Sequence, residues 1–287
     1  MKLHHIALAL TAASLSVWPA IAEEPSAVIN ISREAIKEGR SAAHEKVETD
    51  WARAFRKAKF PYHWMGMTPM TGVNEVWFIN FYSSFADMEK ADKQVESTAL
   101  KNESELLDAR DGEMRTGTRT VIATYRKDLS YHADQAVLGK TRYGMLTVYQ
   151  VRLGHMEEFL QGAKTYMAGV EKSGYPLPIL CYEVVAGSHD GTFHFFTPLE
   201  SLAPLDSMHD YDRKLAQALG PDAMSKLEKS MGDIFSSVES TYFKVNPNMS
   251  YLPAEVEAAD PDYWRPKTAP APKPAAPKPA AAAKPGQ

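Results

Sequence analysis

The chain has 287 residues, of which 32 are basic, 36 acidic and one is cysteine. A single cysteine cannot close an internal disulfide, so stability has to come from hydrophobic burial. Lys2, Arg265, Lys267, Lys273, Lys278 and Lys284 lie near the termini; without them the body carries 26 basic against 36 acidic residues, a net of −10 that offers nucleic acid no basic face.

Residues 1–22 read as an export signal. Lys2, His4 and His5 form a short polar start, an apolar run follows from Ile6 to Trp18, and Ala20-Ile21-Ala22 supplies small residues at a cleavage position before Glu23. The run is shorter than the roughly 20 residues a membrane-spanning helix needs, and no later stretch is long and apolar enough to span. The expectation is an exported protein, periplasmic or extracellular.

Between residues 27 and 251 the sequence states one pattern twice. Residues 27–131 and 144–251 align, with Gly39 on Gly154, Pro61 on Pro176 and Gly72 on Gly187 at one constant spacing, and each copy closes on Ser-Tyr (Ser130-Tyr131 and Ser250-Tyr251). Each copy opens on an alternating strand, Ala27–Ser32 or Met145–Arg152, followed by a glycine turn. A helix comes next. His44, Val47, Trp51, Phe55 and Ala58 share one face in the first copy; Phe159, Ala163, Tyr166 and Val170 do so in the second. Proline ends each helix.

Two strands then form a hairpin, His63–Met70 with Val76–Tyr82 and Ile179–Ala186 with Thr192–Phe196. A long polar helical region begins after Ser84-Phe85-Ala86-Asp87 and runs to about Asp108. Its counterpart begins at Thr197-Pro198-Leu199-Glu200, breaks near Gly220-Pro221 and resumes to Phe235. Thr118–Tyr125 and Val238–Val245 are the closing strands. The order β-α-β-β-α-β, twice, predicts an α+β fold: two tandem ferredoxin-like repeats, 23–135 and 136–264, packed sheet to sheet as an intrachain α+β barrel. Residues 265–287, with seven prolines, many alanines and no acidic residue, read as a disordered tail whose spaced lysines could touch an anionic envelope surface.

The passage Val151-Arg152-Leu153-Gly154-His155-Met156-Glu157-Glu158-Phe159, a strand, a glycine turn and a helix with an inward aromatic, resembles the opening of units in the dimeric α+β barrel superfamily. That superfamily includes antibiotic-biosynthesis-type monooxygenases, haem-degrading monooxygenases and chlorite-dismutase-like haem proteins. The resemblance implies a ligand pocket between the helices and the sheet of a unit, and it makes haem a cofactor to consider.

His44 places an imidazole where the second copy has Phe159, on an otherwise apolar helix face, and a polar group there needs a partner. Trp51 shares that face. His63, Trp77, Asn80 and Tyr82 on the following hairpin mix aromatic and polar groups of the kind that line a site for a flat apolar ligand, and are also ordinary sheet-core residues. The second copy has Pro178 for His63 and His194 for Trp77. Cys181, within an apolar strand, reads as a small buried thiol. Met208-His209-Asp210-Tyr211-Asp212 lacks a metal-ligand spacing, and there is no phosphate loop or nucleophile elbow. The expected function is an exported small-molecule-binding or interaction protein without a catalytic constellation. The alternative is a monooxygenase-like or haem-handling enzyme with a pocket under the first helix of the first repeat, holding His44, Trp51, His63, Trp77, Asn80 and Tyr82.

Overall fold

A computed structural model describes residues 24–265; the expected export signal and the tail beyond Arg265 lie outside the described residues. Among the described residues no helix is long and apolar enough to cross a membrane. Eight strands, β1 (Val28–Ile36), β2 (His63–Pro69), β3 (Glu75–Tyr82), β4 (Arg115–Tyr125), β5 (Tyr143–Val151), β6 (Leu180–Ala186), β7 (Thr192–Leu199) and β8 (Phe235–Val245), close into a barrel in the order β1-β3-β2-β8-β5-β7-β6-β4. The first half supplies β4-β1-β3-β2 and the second β8-β5-β7-β6. The two sheets meet edge to edge, β2 on β8 and β4 on β6, all antiparallel. Closure removes the free edges along those seams.

The helices lie outside the barrel: α1 (Ser41–Lys57), α2 (Phe85–Glu96) and α3 (Leu100–Gly112) in the first half, α4 (Met156–Ser173), α5 (Met208–Leu219) and α6 (Pro221–Ile234) in the second. Strand alternation sorts the core. On β3, Trp77, Ile79 and Phe81 join Met65, Met67 and Phe243 in the barrel interior, whereas Val76, Phe78 and Tyr82 join Val47 and Phe55 under the helices. Gly39 and Gly154 turn each first strand into its helix at φ +74° and +88°, which only glycine adopts without strain. Ser84 caps α2 as its spacing predicts, its hydroxyl accepting the Asp87 amide hydrogen at 3.1 Å.

Two local expectations fail. The helical region from residue 85 breaks at Ser97–Ala99 into α2 and α3, and Thr197–Leu199 continues β7 through its pairing with β5 instead of capping a helix.

The Ser-Tyr pair that closes each half fastens to the other half. Ser130 Oγ accepts the Cys181 amide hydrogen (2.9 Å) and donates to the Arg126 carbonyl (2.8 Å); Ser250 Oγ accepts from Gly66 (3.0 Å) and donates to Asn246 (2.7 Å). Tyr131 Oη donates to the Tyr175 carbonyl at 3.0 Å, and Tyr251 Oη to that of Phe60 at 2.6 Å. Each bond contributes about 1 kcal/mol, and together they set the register of the seams. Cys181 is fully buried beside one clasp, and burial pushes its thiol far above the usual range.

After β8, Leu252 and two short helices, α7 (Ala254–Glu257) through Val256 and α8 (Pro261–Trp264) through Trp264, pack onto the interior cluster of the barrel. The Trp264 indole donates to the Gly139 carbonyl at 2.7 Å, and buried Glu257 is paired with Arg56 and Arg265.

Candidate functional site

The pairing registers make positions in the two halves comparable. Glu34 lies opposite Val76 on β1–β3 as Tyr149 lies opposite Phe193 on β5–β7, and Arg115 lies opposite Ile36 as Phe235 lies opposite Val151, each after an irregularity in the ladder. Lys37 donates its amide hydrogen to the Met114 carbonyl as Arg152 does to that of Ile234. Helices α1 and α4 start at matching residues, which puts His44 where Phe159 stands and Glu48 where Ala163 stands.

In the second half the space between α4, α5, α6 and the sheet holds a cavity of about 220 Å³. Its walls are mainly aromatic and sulfur-bearing, and they include Tyr149, Phe159, Tyr166, Met167, Tyr175 and Tyr211. Asp212 is its one acidic side chain, and no lysine, arginine or histidine lines it. Burial, with smaller contributions from Asp212 and neighbouring tyrosines, pushes the Tyr175 hydroxyl up to about 12, so it remains a neutral donor, and Tyr166 is 42% exposed. The cavity stays open because α4 carries Gly162 and Ala163 on the facing turn, with small residues where the first half has Val47 and Glu48.

In the first half the corresponding space is filled with charge. His44 is fully buried, and its Nε2 lies 2.9 Å from Glu34 Oε2, 3.2 Å from Asp111 Oδ1 and 4.0 Å from Glu48 Oε1. Arg115 binds Glu34 Oε1 at 3.0 Å and Asp111 Oδ2 at 3.1 Å, and also contacts Asp108. One ligand atom from each of Glu34, His44, Glu48 and Asp111 falls within 4.8 Å of the others, and all four residues are buried. Burial, then the charges of Glu34 and Asp111, hold the Glu48 carboxyl well above its usual range; burial and Glu34 push Asp111 up to about 6, against the pull of His44 and Arg115. Asp111 Oδ1 and His44 Nδ1 have no hydrogen-bond partner.

The six residues expected to share a pocket are divided between two faces of one sheet. His44, Trp51, Asn80 and Tyr82 lie on the helix side; Trp77 and His63 follow the alternation that points into the barrel. On the helix side His44 belongs to the charged cluster, while Trp51 packs on Phe55 at 5.6 Å and Tyr82 on Tyr62 at 5.9 Å as core. Asn80 bonds the Asn30 carbonyl at 3.4 Å. Burial pushes the Tyr82 hydroxyl up to about 12. His63 packs against Tyr251 with ring centroids 4.7 Å apart and tilted by 34°, and partial burial lowers its pKa.

Trp77 is held by Glu75, which accepts its indole hydrogen at 2.9 Å, and by the Arg33 guanidinium 4.0 Å over its ring. His194, its counterpart, is buried with Nδ1 unpaired, and burial with the Arg33 charge lowers its pKa to about 4. The pocket expected under the first helix of the first repeat is thus displaced: that space holds the cluster, and the cavity lies under the matching helix of the second. Glu34, Glu48, Asp111 and Arg115 were not singled out because, one by one, they look like ordinary surface charges. The signal lay in the aligned copies, where they oppose Tyr149, Ala163, Met231 and Phe235.

No protein-family model matches the sequence, and no curated protein shows significant similarity to it. Solved structures do match in shape. An anthrone oxidase-like protein superposes with a TM-score of 0.52 at 12% identity, over 78% of this chain and 92% of that one. A candidate monooxygenase from Fusobacterium nucleatum gives 0.49 at 10%, over 78% and 94%, and a chlorite dismutase variant from Candidatus Nitrospira defluvii gives 0.45 at 10%, over 81% and 95%. At these identities the likeness is one of fold: the chain is a ferredoxin-like α+β barrel, closed within a single polypeptide.

Proposed function

We propose that this chain is an exported small-molecule-binding protein, built by tandem duplication, that holds a neutral, largely apolar ring compound in the cavity under α4. The carrying observation is the cavity itself: about 220 Å³ of apolar space with tyrosine hydroxyls and Asp212 as its polar groups. Apolar walls supply affinity through burial, and a few fixed donors orient a ligand. With no cationic side chain on its lining, the cavity favours neutral ligands over anions.

The enzymatic alternative has a fold-level basis in the oxidase-like and monooxygenase-like names of structural neighbours. Haem does not fit the cavity. Its lining has no basic group to balance the propionates.

The test uses N-phenyl-1-naphthylamine, a neutral apolar fluorophore. The purified protein should raise its emission, and Ala163→Phe should abolish the rise with circular dichroism and melting temperature retained. A rise undiminished in Ala163→Phe overturns the assignment to this cavity. Native mass spectrometry of protein from its own host should show a co-purifying compound lost in the same variant. For export, the mature protein should begin at Glu23 by N-terminal sequencing; a cell-associated chain that still begins at Met1 overturns that part.

A further inference from the structure

We infer that Glu34, His44, Glu48 and Asp111 form a buried site for one divalent transition-metal ion, with Arg115 as its fixed internal counter-charge. This site is separate from the cavity under α4 and does not depend on what that cavity binds.

Four observations carry the assignment. The first is charge. Glu34, Glu48 and Asp111 set three buried carboxyl groups against one fixed cation, Arg115, and a divalent ion would offset the excess. The second is an unmet atom. His44 Nε2 faces both Glu34 and Asp111 and can bond at most one of them as a donor, and Asp111 Oδ1, on a residue only 2% exposed, has no hydrogen-bond partner.

The third is spacing. Ligands about 2.1 Å from a metal stand about 3.0–3.4 Å apart at right or tetrahedral angles. His44 Nε2 lies 2.9 Å and 3.2 Å from Glu34 and Asp111, close to that spacing, and 4.0 Å from Glu48, and all four ligand atoms fall within 4.8 Å of one another. The fourth is dispensability. The second half builds the same place from Tyr149, Phe159, Ala163, Met231 and Phe235, so the fold does not require charge there. Three hard carboxylates with one imidazole suit Zn²⁺ or Mn²⁺ better than Ca²⁺, to which imidazole is a poor ligand.

The experiment is calorimetric titration of the tag-free full chain, stripped with EDTA, with Zn²⁺, Mn²⁺ and Ca²⁺ in turn, with elemental analysis of the product. One equivalent of Zn²⁺ or Mn²⁺ should bind, at least tenfold more tightly than Ca²⁺. Glu48→Gln and Asp111→Asn should each weaken it tenfold or more, with circular dichroism unchanged. His155→Gln, which removes the exposed pair with Glu158, should leave the affinity alone. Because His44→Phe alters packing as well as ligation, Glu48→Gln, which keeps the side-chain shape, is the deciding variant. No heat with any ion, binding that survives both carboxylate variants, or equal affinity for Ca²⁺ would each overturn the inference.

Discussion

The space between the first helix and the sheet is built twice, and the two versions are chemical opposites. One encloses a histidine, three carboxylates and an arginine; the other encloses tyrosines, phenylalanine and methionine around a void. The strand pairing around it matches in both, down to the ladder irregularities at Ile36 and Val151. The scaffold therefore accepts either filling, and the difference lies in side chains rather than in the strand pairing.

The largest expected effect comes from breaking the charged filling at its cation. Arg115→Met leaves Glu34 and Asp111 without their shared partner and should cost about 3–5 kcal/mol in urea denaturation of metal-free protein. Exchanging all five residues for their counterparts (Glu34→Tyr, His44→Phe, Glu48→Ala, Asp111→Met, Arg115→Phe) should leave the protein folded, and it should create a second site for the neutral fluorophore. A five-fold variant that unfolds would show that the halves are not interchangeable.

His194, in the position Trp77 holds in the first half, is next. Its folded pKa of about 4 lies below its ordinary 6.5, so the unfolded chain takes up a proton first as pH falls. Stability should drop through that window by up to about 3 kcal/mol, and His194→Phe should lose this component in paired denaturation curves at pH 7 and pH 4.

Glu48 works in the opposite sense. Its carboxyl stays protonated in the fold above its ordinary 4.5, so metal-free protein loses stability as pH rises past that value. Glu48→Gln should remove this loss and raise stability at pH 7 by on the order of 1 kcal/mol. A destabilised Glu48→Gln would mean that the carboxylate has a partner in the cluster. The smallest effect is Tyr166→Phe, which should weaken the bound ligand roughly fivefold, about 1 kcal/mol, through one lost hydrogen bond.

Much of the architecture was legible in the sequence because hydrophobic period and glycine placement are local signals. The β-α-β-β-α-β order, the Gly39 and Gly154 turns and the Ser84 cap can all be read from short windows. The break at Ser97–Ala99 was not, since a polar helical region carries little periodic signal to interrupt. The site was legible only in part. His44 stood out as polar on an apolar face, but its partners come from residues 34, 48, 111 and 115, three of them on other elements, and only tertiary structure brings them together. Trp77 and Tyr82 appeared to share a site because they share a strand; five positions apart, they point to opposite sides of it.

The Ser-Tyr clasps have a consequence for the order in which the molecule comes into being. Gly66 and Ser250 are joined across 184 positions of chain, and the β2–β8 seam beside them uses the final three residues of the last strand. Until that segment is available, the first half must wait with an unsatisfied β2 edge and with Trp77, Ile79 and Phe81 facing no partner sheet. Barrel closure is then a late, long-range event, limited by the search for one distant segment rather than by the local formation of hairpins and helices. The interval before it is when the chain is most open to aggregation, or to a chaperone that shields the same three side chains.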